Sequence, residues 1–346
     1  MRYVFLEKKD LGTFVDYLRK DHRVVAPVKK ENQFVFADVD SAEEISLEYI
    51  PTILPPKKYF FPQKEKLGAF KIGQTTLADT SVDIQPTVIF GVHTCDIDGI
   101  ECLDTVFFKD PADPYYKKRK KSIVLIGYEC MFPCDEFASC VTMDTHVPKA
   151  GYDIMITDAG SKYILHINSN EGEKIIGDNA MFKPDEDDKA KFELRELREE
   201  KAKKFKPQIN SDFKELPKMF EESYNSKVWD EVGKKCVSCG NCTAVCPTCY
   251  CFDINDDVKL DLSGGERKRI WDSCQLDEFA AVAGGENFRE ERSSRQRHRY
   301  YRKFSYSVKK YHKFFCTGCG RCTRACVAGI SLIETVNELI KEYKNV

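Results

Sequence analysis

The chain has 346 residues, with 54 Lys and Arg against 56 Asp and Glu, a formal net charge of −2 and 42% hydrophobic side chains. That near-neutral balance gives no reason to expect a nucleic-acid partner, and no stretch approaches the ~20 apolar residues of a membrane span. The opening residues MRYVFLEKKD lack the basic segment, apolar core and cleavage site of a secretory signal, so the expected compartment is the cytoplasm. The sixteen cysteines are the departure from an ordinary composition. A reducing compartment keeps thiols free, and crowded free thiols read first as metal ligands.

In chain order, residues 86–92 (PTVIFGV) predict a strand and 96–108 a helix with Ile97, Ile100, Val106 and Phe107 broadly on one face. The run KKSIVLIGYEC returns as a second strand, so 87–126 reads as a β–α–β unit with parallel strands. Residues 151–167, two apolar runs around an Ala-Gly-Ser turn, predict a hairpin. From Pro184 to Lys206 the chain is almost wholly charged, which predicts a solvated connecting helix. The expected fold is α+β: an N-terminal α/β domain over 1–183, a charged helical linker over 184–235, and, over 236–346, where the runs Cys236-x2-Cys239-x2-Cys242-x3-Cys246 and Cys316-x2-Cys319-x2-Cys322-x3-Cys326 have the spacing of cluster ligands, an α-helical dicluster ferredoxin domain. Beyond Cys236 the chain is expected to form helices and loops rather than sheet, with an enlarged helical insert between its two cysteine runs.

Those runs carry the chemistry. Cys236-x2-Cys239-x2-Cys242-x3-Cys246-Pro247 is followed by Cys316-x2-Cys319-x2-Cys322-x3-Cys326. Each is a ligand pattern for a cubane [4Fe–4S] cluster, and in two-cluster ferredoxins the fourth cysteine of each run ligates the other cluster. Three closely spaced thiolates hold three corners of a cube, and the fourth corner faces away towards a remote ligand. The expected sets are therefore Cys236, Cys239, Cys242 and Cys326 for one cluster, and Cys316, Cys319, Cys322 and Cys246 for the other. Gly240, Gly318 and Gly320 would let backbone N–H groups approach cluster sulfur. Zinc is the alternative occupant, but its motifs come as separated pairs of cysteines rather than runs of four.

A third group is Cys95, Cys130, Cys134 and Cys140. Cys95 follows the first strand of the β–α–β unit and Cys130 the second, and parallel strands end on the same sheet edge, where α/β domains bind ligands. Cys95 also precedes a helix, whose N-terminus favours a thiolate. A third [4Fe–4S] cluster is expected on these four, the alternative being four small apolar packing residues. Of the remaining thiols, Cys102 lies mid-helix as a core residue. Cys249 and Cys251 either pack around Cys246 or ligate an altered cluster, and Cys274 is equally open. His93 either hydrogen-bonds to the third cluster or is satisfied locally in a loop.

Residues 289–313 are basic with interleaved Tyr and Phe. Nucleic-acid binding uses such mixtures, but two adjacent clusters and a chain without net positive charge favour a helix that packs on the clusters and offsets their negative charge. Neither GxGxxG nor GxxxxGK[ST] occurs, no histidine falls in HExxH spacing, and no G-x-S-x-G is present. No catalytic residue is assigned.

With these residues in hand, the chain resembles the family of 4Fe–4S dicluster proteins that includes the A-type subunit of anaerobic sulfite reductase and the beta subunit of archaeal sulfhydrogenases, which are soluble nickel–iron hydrogenases. The resemblance runs through PPKKYFFPQKE, FGVHTCDIDGIECLD, GYECMFPCDEFASC and GYDIMITDAGSKYILHI, then CVSCGNCTAVCPTCYCFDI, ERKRIWDSC, AGGENFR and CTGCGRCTRAC. CPTCYCFDI with WDSC is far more specific than the cluster runs alone. Two departures fall in the third group: His93-Thr94 stands where the family has Arg-Pro before Cys95, and VTMDTHVP replaces a Gly-rich stretch after Cys140. The resemblance implies an iron–sulfur electron-transfer subunit of a soluble hetero-oligomeric oxidoreductase. It would relay electrons between a catalytic subunit of hydrogenase, sulfite reductase or heterodisulfide-reductase type and a flavin-containing NAD(P)H-type subunit. The alternatives are a reductase with its own flavin or open-cluster active site in the N-terminal domain, and a structural zinc-binding module.

Overall fold

The computed structural model describes residues 2–74, 76–78 and 84–345. Their strands are β1 (Arg2–Glu7), β2 (Arg23–Lys30), β3 (Gln33–Asp38), β4 (Lys64–Lys71), β5 (Thr87–His93), β6 (Ile123–Tyr128), β7 (Ile154–Asp158), β8 (Lys162–Ile167), β9 (Phe182–Pro184), β10 (Phe252–Val258) and β11 (Gly264–Trp271). Eight of them form one sheet in the order β3-β2-β5-β6-β7-β8-β1-β9. The central strands β2, β5, β6 and β7 are parallel neighbours, and the flanking pairs are antiparallel. The predicted β–α–β unit is β5, the helix Thr94–Phe107 and β6, and the predicted hairpin is β7–β8.

Every residue of β5 is buried, as a strand covered on both faces requires. Val88 and Phe90 pack with Phe14 and Leu18 of the helix Leu11–Arg19. Ile89 and Val92 pack with Ile97, Ile100 and Leu103 on the opposite face. Strict alternation would put Val92 beside Phe90. Gly91 prevents this: it sits at φ 74°, and the β5–β6 register shifts between Phe90 and Val92. The extra residue of this bulge turns the strand end over.

The second half is dominated by helices. Leu216–Glu222, Val228–Lys235, Arg292–Phe304 and Leu332–Lys344 close on a core that includes Phe220, Trp229, Tyr300, Phe304 and Leu339. The segment between the two cysteine runs corrects the expectation of a purely helical insert, because it opens with the β10–β11 hairpin. Its charges are matched across strands rather than along a helix. Arg267 grips Asp256 through Nε and Nη2 at 2.8 and 2.7 Å, and Lys268 pairs with Asp257. All of β10 is exposed, although Phe252, Ile254 and Val258 fall on alternate positions with only Asp256 breaking the pattern.

The other edge of β11 pairs with β4, a strand from the first half of the chain. Across that seam Arg269, 3% exposed as a side chain, binds Glu65 at 2.5 Å and Asp113 at 2.5 Å. The charged segment forms the helix Lys189–Lys204, but it is not free in solvent. Ala190 and Leu194 are buried against Ile164 of β8, and Lys201 points inward.

A further contact joins the halves at Gly99, midway along Thr94–Phe107. A Cβ there would stand 2.6 Å from Pro247 Cβ and 3.2 Å from its Cγ. Alanine in a helix interior is favoured over glycine by about 1 kcal/mol, whereas overpacking costs about 1–3 kcal/mol. Gly99→Ala is therefore expected to lower the midpoint of chemical unfolding; a raised midpoint would show that Pro247 is not seated on this helix.

Candidate metal centres

The two cysteine runs fold alike. In each, a glycine in the left-handed region, Gly240 at φ 77° and Gly320 at φ 74°, caps a four-residue helix, Asn241–Ala244 or Arg321–Arg324. The middle cysteines Cys242 and Cys322 ride on these helices, which lie against each other. One cavity is lined by Cys236, Cys239, Cys242 and Cys326 together with Cys322. A second is lined by Cys316, Cys319, Cys322 and Cys246. The last cysteine of each run thus faces the cavity of the other run. The thiols ring these spaces rather than meet at a point: among the described residues no three His, Cys, Asp or Glu side chains converge on a single ion position.

The helix Arg292–Phe304 lays Gln296, Arg299 and Lys303 along one side, three and four residues apart. Gln296 Nε2 donates to Cys236 Sγ at 2.9 Å. Arg299 lines both cavities. Lys303 Nζ reaches Cys246 Sγ at 3.1 Å, Thr248 Oγ1 at 2.7 Å and Cys249 Sγ at 3.3 Å. Backbone donors add Ser238 N–H to Cys236 at 3.4 Å and Ile330 N–H to Cys326 at 3.3 Å. The basic, aromatic-rich segment therefore packs on the thiols, as expected.

Burial pushes the Cys242 thiol up to about 12 and raises Cys316 as well. Cys246 goes the other way: a hydrogen bond from Cys249 outweighs its burial, and Lys303 and Lys57 add to the effect, holding it well below the ordinary thiol range. Burial opposes the charge of Lys303, but Cys246 and Cys249 more than offset it, so the ammonium titrates above its usual range. Positive charge in an enclosed space lined by thiols is what a bound anionic group needs.

The third group lies at the carboxyl edge of β5 and β6. Cys95 is the second residue of Thr94–Phe107, and Thr94 is a close neighbour of Cys130. Burial raises Cys95, Cys130, Cys134 and Cys140, the last to about 12, and neighbouring thiols reinforce the rise in three of them: Cys134 at Cys95, Cys130 and Cys140 at Cys134, Cys130 at Cys140. Cys319 of the second run also acts on Cys95, so this group adjoins the second cavity. The loops interlock there. Ser139 N–H donates to Gly318 O at 2.8 Å, and a Cβ on Gly318 would fall 2.4 Å from the Ser139 carbonyl carbon.

Several residues that the sequence did not single out hold this junction. Arg321, between Cys319 and Cys322, meets Asp96, beside Cys95, at 2.5 and 2.7 Å, and donates to Thr52 O at 2.6 Å. Both charged side chains are buried, at 2% and 0% exposure. Glu129, next to Cys130, is held by Arg198 at 3.1 and 2.9 Å and by Lys201 at 3.1 Å. Lys57 donates to Cys249 O at 2.9 Å and stands 4.1 Å from the Trp271 ring centre; burial lowers it to about 8. Their one-dimensional signal is position: each acid adjoins a cysteine, and Lys57 belongs to the PPKKYFF segment.

The remaining thiols are placed as follows. Cys102 is core, its Sγ 3.5 Å from Phe314 O. Cys249 adjoins Cys246, and Cys251 meets Cys274. His93 is not in a loop: it ends β5, buried, stacked on Tyr49 at 3.8 Å between ring centres, and its Nδ1 has no partner. It borders an open cavity of about 660 Å³ together with Tyr49, Tyr128, Phe132, Cys130 and Cys134.

Thiols enclosed in two joined cavities, with cations and backbone N–H groups directed at them, define an iron–sulfur electron carrier, and residues 235–330 match the 4Fe-4S dicluster domain family. Over 339 residues, 98% of each chain, the sequence is 36% identical to sulfhydrogenase 2 subunit beta of Pyrococcus furiosus. The chain belongs to the 4Fe–4S dicluster family that holds the beta subunits of sulfhydrogenases and the A-type subunits of anaerobic sulfite reductases. No solved structure matches it. No helix among the described residues is long and apolar enough to cross a membrane.

Removing one partner of a buried ion pair costs about 3–5 kcal/mol. Arg321→Met is expected to show a loss of that size in chemical unfolding, and Asp96→Asn combined with it should recover part. Additive losses would mean that the two side chains do not interact.

Proposed function

We propose that the chain relays electrons one at a time through [4Fe–4S] clusters held crosswise, one on Cys236, Cys239, Cys242 and Cys326 and one on Cys316, Cys319, Cys322 and Cys246. The observation that carries this reading is the lining of the two cavities, in which the last thiol of each run faces the other run's space. A cluster bound there supplies a one-electron couple. The protein's part is to exclude water, direct N–H groups at sulfur and set the local charge, which together tune the potential. Cys95, Cys130, Cys134 and Cys140 would hold a third cluster, adjoining the second through Cys319 and the Asp96–Arg321 pair.

The relay has an apolar face at either end. Val237 and Val327, 58% and 71% exposed, rim the first cavity, and Phe132, 64% exposed, stands beside Cys130. Exposed apolar groups above redox centres suit docking of two protein partners. The partners we assign are a catalytic redox subunit together with a flavin-containing NAD(P)H-type subunit, in a cytoplasmic hetero-oligomer. The beta-subunit relative, named for a sulfhydrogenase, supports a multisubunit setting.

A second reading rests on the 660 Å³ cavity, whose size and aromatic lining suit a small ligand. There the domain would act as a reductase with its own flavin or open cluster. A yellow chromophore retained by the isolated chain after anaerobic purification would favour it.

Iron and acid-labile sulfide per chain test the relay directly. Three cubane clusters give about twelve irons and two give about eight, at four per cluster. About twelve, falling by about four in Cys130→Ala, is the expected result; about eight, unchanged by that substitution, would leave the N-terminal cysteines as packing residues. Zinc in place of iron would overturn the relay itself. Lys303 tests the tuning. An ammonium beside Cys246 favours the more negative, reduced state, so Lys303→Met is expected to lower one cluster potential by about 60 mV or more, a factor of ten in a one-electron equilibrium. Unchanged potentials in a protein-film or mediated redox titration would remove Lys303 from that role.

A further inference from the structure

Two thiols outside every proposed ligand set meet at the base of the β10–β11 hairpin. Cys251 directly precedes β10, and Cys274 lies three residues beyond the end of β11. The ladder that pairs Phe252 with Trp271 continues one step further, through Asp272 N–H to Cys251 O at 3.0 Å. The chain then bends so that the two thiols adjoin, each the leading influence on the other's titration. Cys274 is 5% exposed and has Gln275 Nε2 at 3.5 Å from its sulfur. Gln275 is itself anchored, donating to Arg295 O at 3.0 Å. Cys251 opens instead onto a cavity of about 190 Å³ shared with Lys57, Cys239, Cys249, Trp271 and Asp272.

Their position relative to the cysteine runs gives the pair a role beyond packing. Cys274 acts electrostatically on Cys242, a thiol of the first cavity. Cys251 acts on Cys249, which is hydrogen-bonded to Cys246 of the second. The pair therefore has a neighbour belonging to each cavity. Two adjoining thiols at the base of one hairpin are not spread as the corners of a cube require, whereas adjacency is the starting arrangement for an S–S bond.

We propose that Cys251 and Cys274 form a redox-active dithiol/disulfide couple that stores an electron pair beside the one-electron centres; this rests on the relay proposed above. On oxidation the two S–H bonds break and one S–S bond forms. Two protons leave to solvent by way of the Cys251 cavity, and two electrons pass, one at a time, to the oxidised one-electron centres on either side. Reduction reverses each change: two electrons arrive from the same centres, the S–S bond breaks, and two protons return. Such a couple matches carriers that move single electrons to a partner that exchanges them in pairs, as nicotinamide does by hydride transfer.

The test uses the full, anaerobically purified chain with its iron in place. Samples poised at a series of potentials are trapped with an alkylating agent, and peptides containing Cys251 and Cys274 are read by mass spectrometry. The expected result is that both thiols convert together to a linked peptide along a two-electron curve, a tenfold change in ratio for about every 30 mV. Cys251→Ser and Cys274→Ser should each abolish the linked species while iron per chain stays unchanged. Thiols that alkylate independently at every potential would overturn the couple and leave the relay standing. Iron that falls by about four in both variants would also overturn it, by making them cluster ligands. A wild-type chain without iron would overturn the relay and the couple together.

Discussion

A carboxylate and a guanidinium, Asp96 and Arg321, meet inside this protein with almost no exposure to water, and the arrangement of its thiols depends on that meeting. Burying two charges costs several kcal/mol per ion unless the remaining hydrogen-bonding capacity is filled. Here Thr52 fills it, accepting from Arg321 at its carbonyl oxygen and, at 3.1 Å, its hydroxyl. The pair contributes position more than net stability. Asp96 lies beside Cys95 at the start of a helix that grows from the central sheet, while Arg321 lies between two thiols of the second run. Any slippage between the halves would leave both charges unpaired in a dry interior.

Around this pair, charge is distributed in a way that the whole-chain balance conceals. The formal charge is −2, yet Lys57, Arg299, Lys303 and Arg321 are all turned inward towards sulfur. Burial alone would neutralise a lysine, and Lys57, with the weaker thiol support, is lowered towards 8. Lys303 keeps its proton because two thiols lie within 3.3 Å. The same helix that supplies Arg299 and Lys303 also supplies Tyr300, Tyr301 and Phe304 to the adjoining core. Its periodicity therefore serves two surfaces at once, which is why a strongly basic stretch is buried here rather than offered to a polyanion.

Much of this was legible in the sequence. Strand β5 announced itself as an unbroken apolar run, and the cysteine spacings singled out the two runs whose thiols line the cavities, though not that Cys322 lines both. The N-terminal thiols could be grouped because parallel strands must end on one edge. The hairpin at 252–271 escaped although Phe252, Ile254 and Val258 alternate with polar residues, and much of what fixes it is cross-strand ion pairing and a partner strand about two hundred residues earlier. The buried side of Lys189–Lys204 escaped for a similar reason: Ala190 and Leu194 are too few to stand out among its charges, and Lys201 is drawn in by Glu129, which no local pattern connects to it. His93 reads as a loop residue only if the Gly91 bulge is overlooked.

The interlocking of the 134–140 loop with Gly318 has a bearing on how the protein is made. Synthesis proceeds from the N-terminus, and domains generally fold as they emerge. The large sheet is complete in sequence by Pro184, so it can form on the ribosome with Cys95, Cys130, Cys134 and Cys140 already gathered at its edge. The backbone that covers them, and the guanidinium that neutralises Asp96, are translated more than a hundred residues later. During that interval the thiols lack that cover and Asp96 lacks its guanidinium partner. A nascent chain is thus most open to oxidation, or to capture of the wrong metal, at its earliest-folded site, and release from the ribosome is what closes it.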